Sequence, residues 1–129
     1  MMKATISTIY VLGNPLVASD SLPLKMLGDL RAAFPKVDFV EADPSEDLPE
    51  GRLLIFLDTA LDISKVVVLD DIDRIAEEPS YSLHQFGLGT HLKMLRKLGR
   101  AVKVKMICVP MTLGYDDAVR QVKSAIRGL

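Results

Sequence analysis

The sequence predicts an α/β fold, a three-layer α/β/α sandwich around a mixed, mostly parallel sheet of about five strands. Three observations carry this expectation. Short apolar runs rich in β-branched residues alternate with stretches of helical periodicity, the order expected of strands joined by crossover helices. The run Arg52–Leu57 is almost continuously apolar, as a strand covered on both faces must be. The run Ser64–Leu69 follows it too closely for a crossover helix, so it is expected as an antiparallel edge strand.

Taken in order, Ile6–Leu12 reads as the first strand and is broken by Gly13-Asn14-Pro15. Leu22, Met26, Leu27, Leu30 and Ala33 recur at helical spacing, so a helix is expected over Ser21–Phe34, with Pro23 in its first turn and Pro35 ending it. Val37–Ala42 reads as the second strand. The acidic, proline-bearing stretch Asp43–Gly51 reads as a loop. Arg52–Leu57 and Ser64–Leu69 are strands three and four, and Asp70–Tyr81 is a polar loop. Ser82 can cap a helix from Leu83 to Gly99, with Leu88, Leu92, Leu95 and Leu98 as its apolar stripe. Val102–Val109 is the last strand, and Asp116 is expected to cap a terminal helix with Val119, Val122 and Ile126 inward.

The chain has 129 residues, the size of one domain, 1–129, with one core. Its formal net charge of −1 excludes a strong global attraction to nucleic acid or to an anionic membrane. The one cysteine, Cys108, cannot form an intrachain disulfide, and its apolar surroundings make it a small buried hydrophobe rather than a nucleophile. No apolar run approaches the length of a membrane span, and no signal peptide opens the chain, so a cytoplasmic location is expected.

Open α/β sheets bind ligands at the carboxyl ends of their strands. Asp20 follows strand one, Asp58 ends strand three, and the loop before His84, which opens the second long helix, can return to the same rim. Two carboxylates and an imidazole form a mixed oxygen and nitrogen set that suits zinc or nickel better than calcium, with positions left for water or substrate. Each also has an ordinary reading: Asp20 as a helix cap, Asp58 as the start of a turn, His84 as a surface or packed histidine. Lys93, Arg96, Lys97, Arg100, Lys103 and Lys105 form a basic cluster, read as the solvated back of a helix or, more sharply, as a docking face. Phosphate-loop, dinucleotide and nucleophile-elbow motifs are absent.

Three stretches in order resemble the hydrogenase maturation endopeptidases. They are Gly13-Asn14-Pro15-Leu16 with Ser19-Asp20, the strand IFLDTA with Asp58, and Ser82-Leu83-His84 before a leucine-rich helix. The chain departs from the family pattern at Val11, Ser19 and Thr59, and at Asp43-Pro44-Ser45, where the family has a glycine-rich loop. The resemblance implies metal binding by Asp20, Asp58 and His84. It implies an endopeptidase that trims the C-terminal extension of a nickel–iron hydrogenase large-subunit precursor after nickel insertion. The nickel would arrive with the substrate, and another divalent ion such as zinc or cadmium could occupy the same donors. Asp43 is the spare carboxylate for a general base, and a monomer is the expected working form. Two rivals stand beside this reading. One is a phospho-receiver-like signalling domain with Asp58 as acceptor. The other is a non-catalytic chaperone that binds the precursor without shortening it.

Overall fold

The computed structural model describes residues 8–12, 21–42, 51–60, 63–71, 73, 92–99 and 101–129. Its centre is a five-stranded sheet in the order β2-β1-β3-β5-β4. The strands are β1 (Thr8–Leu12), β2 (Asp38–Ala42), β3 (Gly51–Ala60), β4 (Val67–Leu69) and β5 (Ala101–Pro110). β1, β2, β3 and β5 are parallel, and β4 runs antiparallel along the edge of β5. The expected mixed, mostly parallel sheet and its antiparallel edge are therefore present.

The period of two along each strand sorts its side chains between two cores. Ile9, Val11, Phe39, Ile55, Leu57, Ile107 and Val109 pack on one face. That face is covered by α1 (Leu22–Lys25), α2 (Leu27–Ala33) and a C-terminal helix, Tyr115–Arg127, called α4 below. Leu12, Leu54, Phe56, Ala60, Val104, Met106 and Cys108 pack on the other face, against Leu92 and Leu95 of a helical stretch, 92–97, called α3. Helices on both faces make the three layers. Val119, Val122 and Ile126 point inward as their spacing predicts.

Several boundaries differ from expectation, each for a local reason. The single helix expected over 21–34 is two helices meeting at Met26, whose backbone sits at φ −90°, ψ 0°. Pro23, Met26, Leu27 and Leu30 stay on one buried face across the break, so periodicity cannot register it. Gly28, at the start of α2, is a poor helix former. β4 is only three residues long because Val66 donates its N–H to Gln121 Oε1 of α4 at 2.9 Å rather than to a strand. α4 is capped by Gly114 in extended conformation, not by Asp116, which instead lies with Asp117 in the first turn, where the helix dipole favours negative charge. Leu98 is not part of the buried stripe: it lies in the closing turn of α3, 60% exposed, just before Gly99 at φ +71° ends the helix. Asp73, expected in a loop, has helical backbone. Ile6, Ser82, Leu83 and Leu88 fall outside the described residues, as do most of the expected loops.

The correction that matters most for the site concerns β3. It does not stop at Leu57 but continues to Ala60, because β5 pairs with it all the way to Ala60↔Pro110. Asp58 thus lies within the strand and does not start a turn.

Candidate functional site

β1, β3 and β5 all end at the same edge of the sheet, since they run parallel. From β1 the chain passes to α1 and α2 on one face, and the passage from β3 to β5 runs through α3 on the opposite face. Neighbouring strands whose connections leave to opposite faces mark the switch point of an open α/β sheet, where a crevice forms outside the strand ends. Asp58 lies on β3 at this switch point, one residue beyond the Val11↔Leu57 pair with β1.

Pleating sets the direction of its side chain. Phe56 and Ala60, two residues either side, belong to the α3 face, so Asp58 shares that face with Leu12 and Cys108. Asp58 is wholly buried. The N–H of Thr59 donates to its Oδ1 at 2.8 Å, a bond that orients the carboxyl group and offsets part of the cost of burial. Acids are seldom fully buried, and one placed at the switch point of the sheet is a candidate for function.

Cys108 is the register partner of Asp58 on β5. Its thiol is pushed up to about 12, first by burial and then by the negative charge of Asp58. It is buried and approaches the Met106 carbonyl oxygen at 3.8 Å. A thiol so far from ionising is no nucleophile at neutral pH, in agreement with its reading as a small hydrophobe. What sequence reasoning missed is its adjacency to the acid. The signal is present in the two apolar runs, but it emerges only once β3 and β5 are aligned in register.

Of the expected site residues, the structure describes Asp58 alone. Asp20, Asp43 and His84 lie outside the described residues, as does His91. Among the described residues, no group of three or more His, Cys, Asp or Glu could hold a metal ion. Ser21, the residue after Asp20, is buried at the start of α1, which packs on β1 and β3 beside the Asp58 edge.

Arg100 lies outside the described residues, and the described members of the basic cluster do not form one patch. Lys103 and Lys105 alternate with Val104 and Met106 and so face away from α3, which carries Lys93, Arg96 and Lys97. Arg96 Nη2 lies 2.8 Å and Lys93 Nζ 3.9 Å from Asp73 Oδ1. The Arg96 hydrogen bond holds the Asp73 carboxyl below the usual carboxylate range, and Asp73 in turn raises Arg96. These are exposed pairs, of small energetic weight. The solvated-helix reading fits them better than a docking face does.

The receiver rival meets a topological obstacle. Receiver-type flavodoxin-like sheets run in the order 2-1-3-4-5, whereas this sheet runs 2-1-3-5-4 with its fourth strand reversed. Among the described residues, no helix is long and apolar enough to cross a membrane.

No family model and no curated protein matches the sequence. Solved structures do. The chain is similar to the hydrogenase maturating endopeptidase HybD from E. coli, at 19% identity and a TM-score of 0.65 over 95% of this chain and 93% of that one. It is similar to an endopeptidase from Escherichia coli at 20% identity and a TM-score of 0.61, covering 94% and 93% of the two chains. A hydrogenase 3 maturation protease aligns at 22% identity and a TM-score of 0.57, covering 92% and 88%. At these identities the likeness establishes a common fold, that of the hydrogenase maturation endopeptidases, along nearly the whole chain.

Proposed function

We propose, from that shared fold and from Asp58, that this chain is an endopeptidase of hydrogenase maturation. It removes the C-terminal extension of a nickel–iron hydrogenase large-subunit precursor after nickel insertion, acting in the cytoplasm. The observation that carries the reading is the fully buried carboxyl group of Asp58 at the switch point of this sheet, the edge at which open α/β sheets bind their ligands.

In this reading Asp58 holds the nickel that arrives with the substrate, together with Asp20 and His84. Zinc or cadmium would suit the same oxygen and nitrogen donors. A divalent ion held by Asp20, Asp58 and His84 would supply Lewis acidity for a carbonyl or a water molecule. The rest falls to the chain. Thr59 N–H fixes the Asp58 carboxylate. Apolar Leu12, Phe56 and Ala60 keep that side of the strand dry, which strengthens its attraction for a cation. Asp43 is the proposed general base, taking a proton from the attacking water. The protonated Cys108 gives no covalent route.

The test is to incubate the protein with nickel-loaded and nickel-free large-subunit precursor and to weigh the product. Loss of the C-terminal extension from the nickel-loaded form alone is the expected result. Binding without shortening would replace the protease with a chaperone. Equal cleavage of the nickel-free precursor would refute the dependence on nickel insertion.

A further inference from the structure

β5 runs between β3 and β4. Its residue Cys108 is the register partner of Asp58 on β3 and of Val67 on β4. On the α3 face the row across the sheet is therefore Asp58, Cys108, Val67, with neighbouring strands about 5 Å apart. Asp58 and Cys108 are both 0% exposed.

The thiol has little room to move in this row. Val67 stands behind it, on the side away from Asp58. Met106 and Pro110, both buried, stand on either side of it along β5. Its S–H is directed along its own strand, toward the Met106 carbonyl oxygen at 3.8 Å. Raised by burial and then by Asp58, the thiol stays protonated at neutral pH. It therefore brings the bulk of a sulfur atom beside the acid without bringing a charge.

That bulk has a use at this position. The Thr59 N–H holds one oxygen of the Asp58 carboxyl group. A precise site also needs its side chains locked by packing, because a carboxyl group can still pivot about a single hydrogen bond. Alanine at position 108 would leave a gap beside the acid, and a charged side chain would pair with it or repel it.

Resting on the reading of Asp58 as a metal-holding residue, we propose that Cys108 is a positioning residue. Its sulfur, backed by Val67, packs beside the Asp58 carboxyl group and keeps it in the orientation that the Thr59 N–H selects. Cys108 acts through Asp58 and does not itself hold the ion.

The experiment uses the full chain, Cys108→Ala, and Ile107→Val as the control. Each substitution removes one heavy atom from a fully buried side chain, but Ile107 belongs to the opposite face. Cadmium affinity, read by calorimetry on folded protein, should fall about tenfold in Cys108→Ala and hold in Ile107→Val. The Thr59 amide proton, read by nuclear magnetic resonance without metal, should shift in Cys108→Ala alone, because it reports the bond to Asp58. Cys108→Val, which puts methyl groups where the sulfur lies, should restore both signals. Unchanged signals in Cys108→Ala, equal losses in Ile107→Val, or no recovery in a folded Cys108→Val would overturn the proposal. So would a sulfur-to-cadmium ultraviolet band in the unaltered chain, which would make Cys108 a ligand. The first two variants decide the matter even if Cys108→Val does not fold. If the unaltered chain binds no cadmium, the ion-holding reading fails. The Thr59 amide then decides the role of Cys108 by itself.

Discussion

The two faces of the sheet are built from the same kind of strand but not to the same end. Under α1, α2 and α4, the strands β1, β3 and β5 contribute Ile9, Val11, Ile55, Leu57, Ile107 and Val109, with the neutral hydroxyl of buried Thr59 at the end of β3. Under α3, the same strands contribute Leu12, Phe56, Met106 and Cys108, and among them the carboxylate of Asp58. One face buries apolar side chains and a single neutral hydroxyl from these strands. The other gives up part of its apolar burial to an ionisable acid at the strand end. The difference teaches where to look for chemistry: in the layer whose apolar pattern is interrupted by an acid, at the position where the interruption meets the switch point of the sheet.

Substitutions on the two faces should therefore separate activity from stability. The largest effect is expected for Asp58→Asn, which keeps the shape and an acceptor for Thr59 N–H but removes the acid. Precursor cleavage should fall by about 10²-fold or more, since even partners of metal ligands cost 10 to 100-fold. The midpoint of denaturant unfolding should hold, because the amide keeps the shape of the acid and the acceptor for Thr59 N–H. A lower midpoint together with full activity would erase the distinction between the faces.

Next in size is Leu57→Ala, one residue earlier but on the opposite face. Removing this fully buried side chain should cost about 3 kcal/mol of stability in urea titration. Cleavage by the fraction still folded should stay near that of the unaltered chain. A catalytic loss as large as that of Asp58→Asn would show that the two faces are not separable.

The smallest effect lies at Tyr115, which is part-exposed and joins α4 to α2. Loss of its hydrogen bond in Tyr115→Phe should cost about 0.5 kcal/mol. The phenol is raised in the folded protein to about 12 from an ordinary value of 10. Its contribution is thus fully present below pH 10 and is lost as pH rises through about 12. Ultraviolet titration should show one phenol fewer ionising near pH 12 in the variant.

Much of this architecture is legible in the sequence, because it follows from patterns that burial imposes. The continuous apolar run at Arg52–Leu57 marks a central strand, and the short interval before Ser64–Leu69 marks an antiparallel edge. The lapse at Met26 is not legible, since Pro23, Met26, Leu27 and Leu30 keep helical phase across it. Nor is the extent of β3 past Asp58, which is set by pairing with β5 rather than by anything local to Leu57-Asp58-Thr59. Asp58 itself is legible as an acid closing an apolar run. Its burial and its neighbour Cys108 come only from the register of two strands about 50 residues apart, a tertiary fact.

The central claim is that Asp58 shares one divalent ion with Asp20 and His84 at this edge. Calorimetric titration of the full chain with cadmium addresses it directly, beside Asp20→Ala, Asp58→Ala and His84→Ala, each checked for folding. The account predicts one ion per chain, held about 10²-fold more weakly in each variant. Unchanged affinity in either the Asp20 or the His84 variant would contradict it, leaving Asp58 a buried acid without the two proposed partners.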